Sequence, residues 1–181
     1  MRYHLRRGAL LALIAAAAPA TTLPDRTTAD LLLEAERVCC LSCATVEPRR
    51  DPRTGIVFTH VRLDLLENLK GPAPSSTVEL RLVGGEADGV RTVVPGMPVF
   101  RAGEEAILLL GPPNALGHPV LLDAGRGVVR LRKERDGTRL LAGRVTGVES
   151  LAGKRRVSLA DFRYALGDLL KSRGTPTEGG K

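Results

Sequence analysis

Residues 56–71, reading IVFTHVRLDLLENLKG, constrain the fold more than any other stretch of the chain. From His60 to Leu65 the side chains alternate strictly, with Val61, Leu63 and Leu65 on one face and His60, Arg62 and Asp64 on the other. A period of two belongs to a strand half-buried in an antiparallel sheet. Gly71-Pro72 stops it, and Thr77 to Val83 repeats the pattern, with Val78, Leu80 and Leu82 set against Glu79 and Arg81. The connection from Lys70 to Ser76 is short enough to make the two strands antiparallel neighbours. Their outward charges, Arg62 and Asp64 beside Glu79 and Arg81, are then expected to pair across strands for a few tenths of a kcal/mol each.

The other elements follow from the same kind of pattern. Thr27 to Asp30 forms a capping box and predicts a short helix from about Ala29 to Glu36, leading into a strand from Val38 to Val46. Pro48 to Gly55 reads as a charged turn, Gly84 to Gly103 as an irregular loop, and Ala106 to Leu110 as a strand buried on both faces. Val120 to Ala124 and Gly127 to Arg132 suggest a hairpin around Gly125-Arg126, and Thr138 to Leu141 and Arg144 to Val148 extend the sheet. Ser158 to Asp161 is a second capping box, opening an amphipathic helix from Leu159 to Lys171 with Leu159, Phe162, Leu166 and Leu169 on one face. Twenty Gly and twelve Pro punctuate these elements as turns rather than repeats, which favours a mainly β fold. A chain of 181 residues accommodates one ordinary core, placed at residues 21–173, followed by a disordered tail from Gly174 to Lys181.

Arg2, Arg6 and Arg7 precede an apolar run from Gly8 to Ala18, and Ala18-Pro19-Ala20 supplies an A-x-A cleavage site. Residues 1–20 therefore read as a signal peptide, and the protein as exported, periplasmic or extracellular. The run is shorter than the roughly 20 residues of a spanning helix, so no membrane association is expected after cleavage. Without those three arginines, 24 basic residues face 20 acidic ones and the net charge falls from +7 to +4. The remaining basic clusters, at Arg49-Arg50, Arg130 to Arg135 and Lys154 to Arg156, read as solvated faces.

All three cysteines fall in the strand read at Val38 to Val46. Extended geometry puts Cys39 and Cys43 about 13 Å apart on one face and Cys40 on the other, too far for the Cα separation of about 7 Å that a disulfide allows. Cys40-Leu41-Ser42-Cys43 matches C-x-x-C, but no thioredoxin-like βαβ pattern surrounds it. Zinc would need more imidazoles than His60 and His118 supply. The thiols read as small core hydrophobes. Cys40, alone on its face, is the candidate exposed thiol, so that the protein is a monomer or a dimer linked through it.

No catalytic, cofactor or metal set emerges. His60 and Asp64 share a strand face but stand about 13 Å apart, and no G-x-S-x-G elbow is present. The glycines between Gly84 and Gly103 lack phosphate-loop spacing. Phe58, Phe100, Phe162 and Tyr164 are too few, and too dispersed, to stack bases, so nucleic acid is not an expected partner. What remains is a non-enzymatic binding or accessory module that meets a secreted protein partner through the long loop, with Glu86, Asp88, Arg91, Met97 and Phe100 as the candidate contact residues. An exported hydrolase and an anionic-polymer-binding barrel are the alternatives.

The segments THVRLDLLENLKGP and PVFRAGEEAILLL, with Gly84-Gly85 between them, make the chain resemble a group of secreted bacterial proteins of uncharacterised function. Those in turn are similar to the small OB-like barrels of netrin and tissue-inhibitor-of-metalloproteinase domains. The resemblance implies a small antiparallel OB-like barrel or sandwich flanked by the two helices. The inhibitors chelate their target's zinc through a cysteine at the mature N-terminus. Here that position reads Thr21-Thr22-Leu23, with Cys39 well inside the chain, so no inhibitory residue carries over.

Overall fold

The structure is a computed structural model and describes residues 26–115 and 117–174. The signal peptide read at residues 1–20 and the tail beyond Gly174 lie outside the described residues; Gly174 itself closes the last helix. Among the described residues no helix is long and apolar enough to cross a membrane.

The fold is mainly β. In chain order the elements are α1 (Thr28–Glu34), β1 (Arg37–Arg50), β2 (Val57–Lys70), β3 (Thr77–Val83), β4 (Gly85–Ala87), β5 (Val90–Thr92), β6 (Glu105–Pro113), β7 (Pro119–Leu121), β8 (Val128–Lys133), β9 (Arg139–Ala142) and α2 (Leu159–Gly174). One antiparallel sheet runs β3-β2-β1-β6-β8-β9, and β4 and β5 form a separate two-stranded hairpin. β2 and β3 are antiparallel neighbours, as expected, with Val61 opposite Leu80 and Leu63 opposite Val78. Arg62 stands opposite Glu79, whereas Arg81 makes its ion pair with Asp51, at 3.3 Å.

Three expectations are corrected. The sheet does not close into a barrel. It curls until β3 nears β7, but β7 is three residues long and begins at Pro119, which has no N–H to donate to a ladder. Nor do β7 and β8 form a hairpin: they lie end to end along β6, with Leu121 opposite Leu110 and Val128 opposite Leu108. The strand expected from Arg144 to Val148 is absent as well. That segment docks on the start of α1, where the Thr146 carbonyl accepts from Ala29 N–H at 3.0 Å.

Curling divides the apolar residues into two cores, one on each side of the sheet. Cys39, Leu41, Val61, Leu63, Leu80 and Leu108 fill the concave side. Val38, Cys40, Ile107 and Leu109 face α1 and α2, meeting Leu31, Leu32, Phe162 and Leu166. β6 is therefore buried on both faces, as its unbroken apolar run requires. Both capping boxes form, Thr27 with Asp30 and Ser158 with Asp161. The other end of α1 is held from β2: Lys70 Nζ donates to the carbonyls of Leu32, Leu33 and Ala35 at 2.8, 2.9 and 2.5 Å. Its three donors satisfy C-terminal carbonyls for which the helix has no partners of its own.

The helical layer also corrects the reading of Cys40. Because β1 is covered on both sides, Cys40 is only 1% exposed and is not a surface thiol available to a second copy. Burial, followed by the field of Glu105, pushes its thiol up to about 11; burial likewise raises Cys39 and Cys43. Thiolate is the reactive form, so alkylation at pH 8 is expected to leave all three cysteines unmodified in the folded protein and to modify all three in denaturant. Mass spectrometry reads the count, and rapid native modification of Cys40 would contradict its burial.

Candidate binding site at the open end of the sheet

After β3 the chain turns back across the end of the sheet, and Gly84-Gly85 make this turn sterically feasible. Both have positive φ, +122° and +124°, and a Cβ on Gly85 would sit 2.6 Å from Thr59 Oγ1 and 3.1 Å from Pro48 Cβ. The close approach is fastened by three hydrogen bonds. Thr59 Oγ1 donates to the Gly84 carbonyl (2.6 Å), Gly84 N–H to the Val57 carbonyl (2.9 Å), and Val57 N–H to Thr92 Oγ1 (3.2 Å). The stretch expected to be irregular is thus partly ordered as the β4–β5 hairpin, whose tight turn places Asp88 at φ 51°.

Residues 93–100 then form a wall held from the far side. Gly125 N–H donates to the Gly96 carbonyl at 2.9 Å. Arg130 pairs with Glu104 at 2.5 Å, donates to the Val99 carbonyl at 2.5 Å, and lies over the Phe100 ring at 5.6 Å from its centroid. Between this wall and the concave sheet face is a cavity of about 330 Å³, bounded by Val46, Thr59, Val61, Leu82, Met97 and Phe100 among others. Arg91 is the one charged residue of its lining. Val93 and Val99 stand at the rim, 70% and 73% exposed.

Of the residues singled out from sequence, Arg91, Met97 and Phe100 are brought together around this cavity. Phe100 is only 4% exposed, so it is the buried end of the wall and not part of an exposed contact loop, because Arg130 and the curled sheet enclose it. Glu86 sits opposite Arg91 across the hairpin. Glu86 and Asp88 are outside the cavity lining. The sequence reading missed Val46, Thr59, Val61 and Leu82, whose shared role depends on the curl. It also missed Val93, Val94 and Val99, although three valines in a Gly- and Pro-rich loop are themselves a signal of a functional apolar surface.

The remaining candidate chemistry lies elsewhere. His60 is half-buried on the convex face, opposite Glu47 and Arg81 in the strand register. Burial, then the charges of Arg49, Arg81 and His118, lowers its pKa below the ordinary imidazole value. Among the described residues no three His, Cys, Asp or Glu side chains converge as a metal-binding group. Comparison of the chain with protein-family models, with curated protein sequences and with solved structures finds no match.

Proposed function

We propose that the protein is an exported, non-enzymatic binding module that receives an apolar side chain of a protein partner in the cavity at the open end of its sheet. The observation that carries this reading is the union of an apolar cavity with an exposed apolar rim, Val93 and Val99. Exposed apolar residues continuous with an apolar hollow are the usual mark of a surface that another molecule covers. At about 330 Å³ the cavity is at the small end of ligand sites, a size suited to one aliphatic or aromatic side chain. The wall is fixed by backbone hydrogen bonds and Arg130, so little ordering cost opposes binding.

The test uses N-acetyl-leucinamide and N-acetyl-phenylalaninamide as side-chain probes, followed by methyl NMR on the full mature chain. Saturable shifts are expected at Val46, Val61 and Met97, with affinity reduced roughly tenfold in the Val93→Glu, Val99→Glu double variant. Shifts scattered over the surface, or unchanged affinity in that variant, would remove the cavity from consideration.

A further inference from the structure

We propose that the convex face carries a second, separate site for a tetrahedral oxyanion, built from Arg49, Arg50, His60, Arg81 and His118 around a cavity of about 300 Å³. Strand alternation places it behind the apolar cavity. Pro48 and Thr59 face the apolar side, while their neighbours Arg49, Phe58 and His60 face the other. Arg81 joins them from β3, Asp51 from the β1–β2 turn, and His118 from the β6–β7 turn.

Three features indicate an anion rather than a merely solvated basic face. First, three guanidinium groups and two imidazoles surround the cavity, against the single carboxylate of Asp51. Glu47, outside that lining, pairs with Arg49 at 2.5 Å. Second, Arg81 is positioned rather than free. Its guanidinium lies 3.8 Å from the Phe58 ring centroid and pairs with Asp51, yet its Nε is buried without a hydrogen-bond partner. That nitrogen has almost no accessible surface, so an oxyanion in the cavity meets the guanidinium through its other donors, in the planar geometry that guanidinium favours. Third, the site is prearranged. Asp51 Oδ1 accepts from the backbone of Arg53 and Thr54 at 2.9 and 3.0 Å, which keeps its Oδ2 directed at Arg81 and holds its carboxyl below the usual range.

The groups facing His60 also give the site a pH signature. Burial first, and then the charges of Arg49, Arg81 and His118, disfavour its imidazolium, while Glu47 favours it. A bound dianion opposes the charge part of that penalty and favours the imidazolium, so binding takes up a proton and strengthens as pH falls through the imidazole range.

Sulfate, which remains dianionic across this range, is the primary probe, added to the full mature chain at constant ionic strength with chloride exchange. Histidine ring NMR is expected to show saturable shifts at His60 and His118 and a higher His60 midpoint pH with sulfate bound. Arg49→Gln and His118→Gln each weaken sulfate about fivefold to tenfold, whereas Arg144→Gln, an exposed charge loss outside the cavity, leaves it unchanged. Arg81→Met removes the guanidinium stacked on Phe58 and is expected to weaken sulfate at least as much as Arg49→Gln, and the two other variants keep the question answerable if it fails to fold. Inorganic phosphate and glycerol 3-phosphate form the second arm. Tighter binding of the ester identifies a phosphoryl group on a larger ligand, and equal or weaker binding identifies the free ion. Linear shifts matched by chloride, or equal weakening by Arg144→Gln, would overturn the site. The Val93→Glu, Val99→Glu variant should retain sulfate binding, so failure of either site is distinguishable from failure of the other.

Discussion

Replacing Leu109 by alanine is expected to lower stability by about 3 to 5 kcal/mol. Ile107, Leu108, Leu109 and Leu110 are all 0% exposed, and Leu109 is packed with Val38, Leu32 and Phe162 where β6 meets both helices. Neighbours fixed in strand ladders on two sides collapse poorly into a cavity, which puts the cost toward the upper end of the range for such truncations. Val120→Ala, at a site 43% exposed on short edge strand β7, should cost less than about 0.5 kcal/mol. Urea unfolding of the two variants measures the difference. A loss below about 1 kcal/mol for Leu109→Ala would mean that the helical layer is not tightly packed on β6.

The second large effect is expected at Gly71, which ends β2 beside the C-terminus of α1. Its φ is +77°, and a Cβ there would overlap the Glu36 carbonyl oxygen. Alanine must therefore push the end of β2 away from the chain entering β1. That movement carries Lys70 away from the three carbonyls it binds on α1. The strained backbone, the overlap and the weakened helix end together cost about 3 kcal/mol, a fall of roughly 10 °C in Tm. Gly137→Ala is the matched control, since φ is +86° there but no atom lies within 4 Å of the added Cβ. It should lose only the left-handed backbone penalty, about 1 to 2 kcal/mol. Equal losses at the two positions would show that the approach to Glu36 is not a constraint.

What was legible in the sequence depended on how local the deciding interaction is. Alternation placed β2 and β3 within a residue or two of their ends and paired them correctly, because a short connection leaves no other partner. The capping boxes located both helix starts, since a side chain and backbone three residues apart decide them. The faces of Cys39, Cys40 and Cys43 followed from the pleat, and the two outer thiols do share the concave core while Cys40 faces the helices. The reading of the thiols as small core hydrophobes holds for all three, and the alternative of an exposed Cys40 fails because helices from opposite ends of the chain dock over its face. The β7–β8 hairpin failed for a related reason. Two short strands around Gly125-Arg126 look like partners locally, but Leu110 and Leu108 of β6 offer them a longer edge to share.

For this chain, then, amino-acid order alone determined β2, β3, the buried run of β6, both helices, their inward and outward faces and the mainly β class, because those rest on periodicity and on contacts within a few residues. It did not show the β4–β5 hairpin, and it suggested a strand at residues 144–148 that does not form. Tertiary structure alone decided that the sheet curls without closing and that helices cover the face of Cys40. It also decided that Val46, Val61, Leu82 and Met97 border one cavity, while Arg49, His60, Arg81 and His118 border another. Each of those outcomes joins residues tens of positions apart, and their meeting is set by sheet curvature and strand order, to which no single stretch of sequence contributes more than one edge.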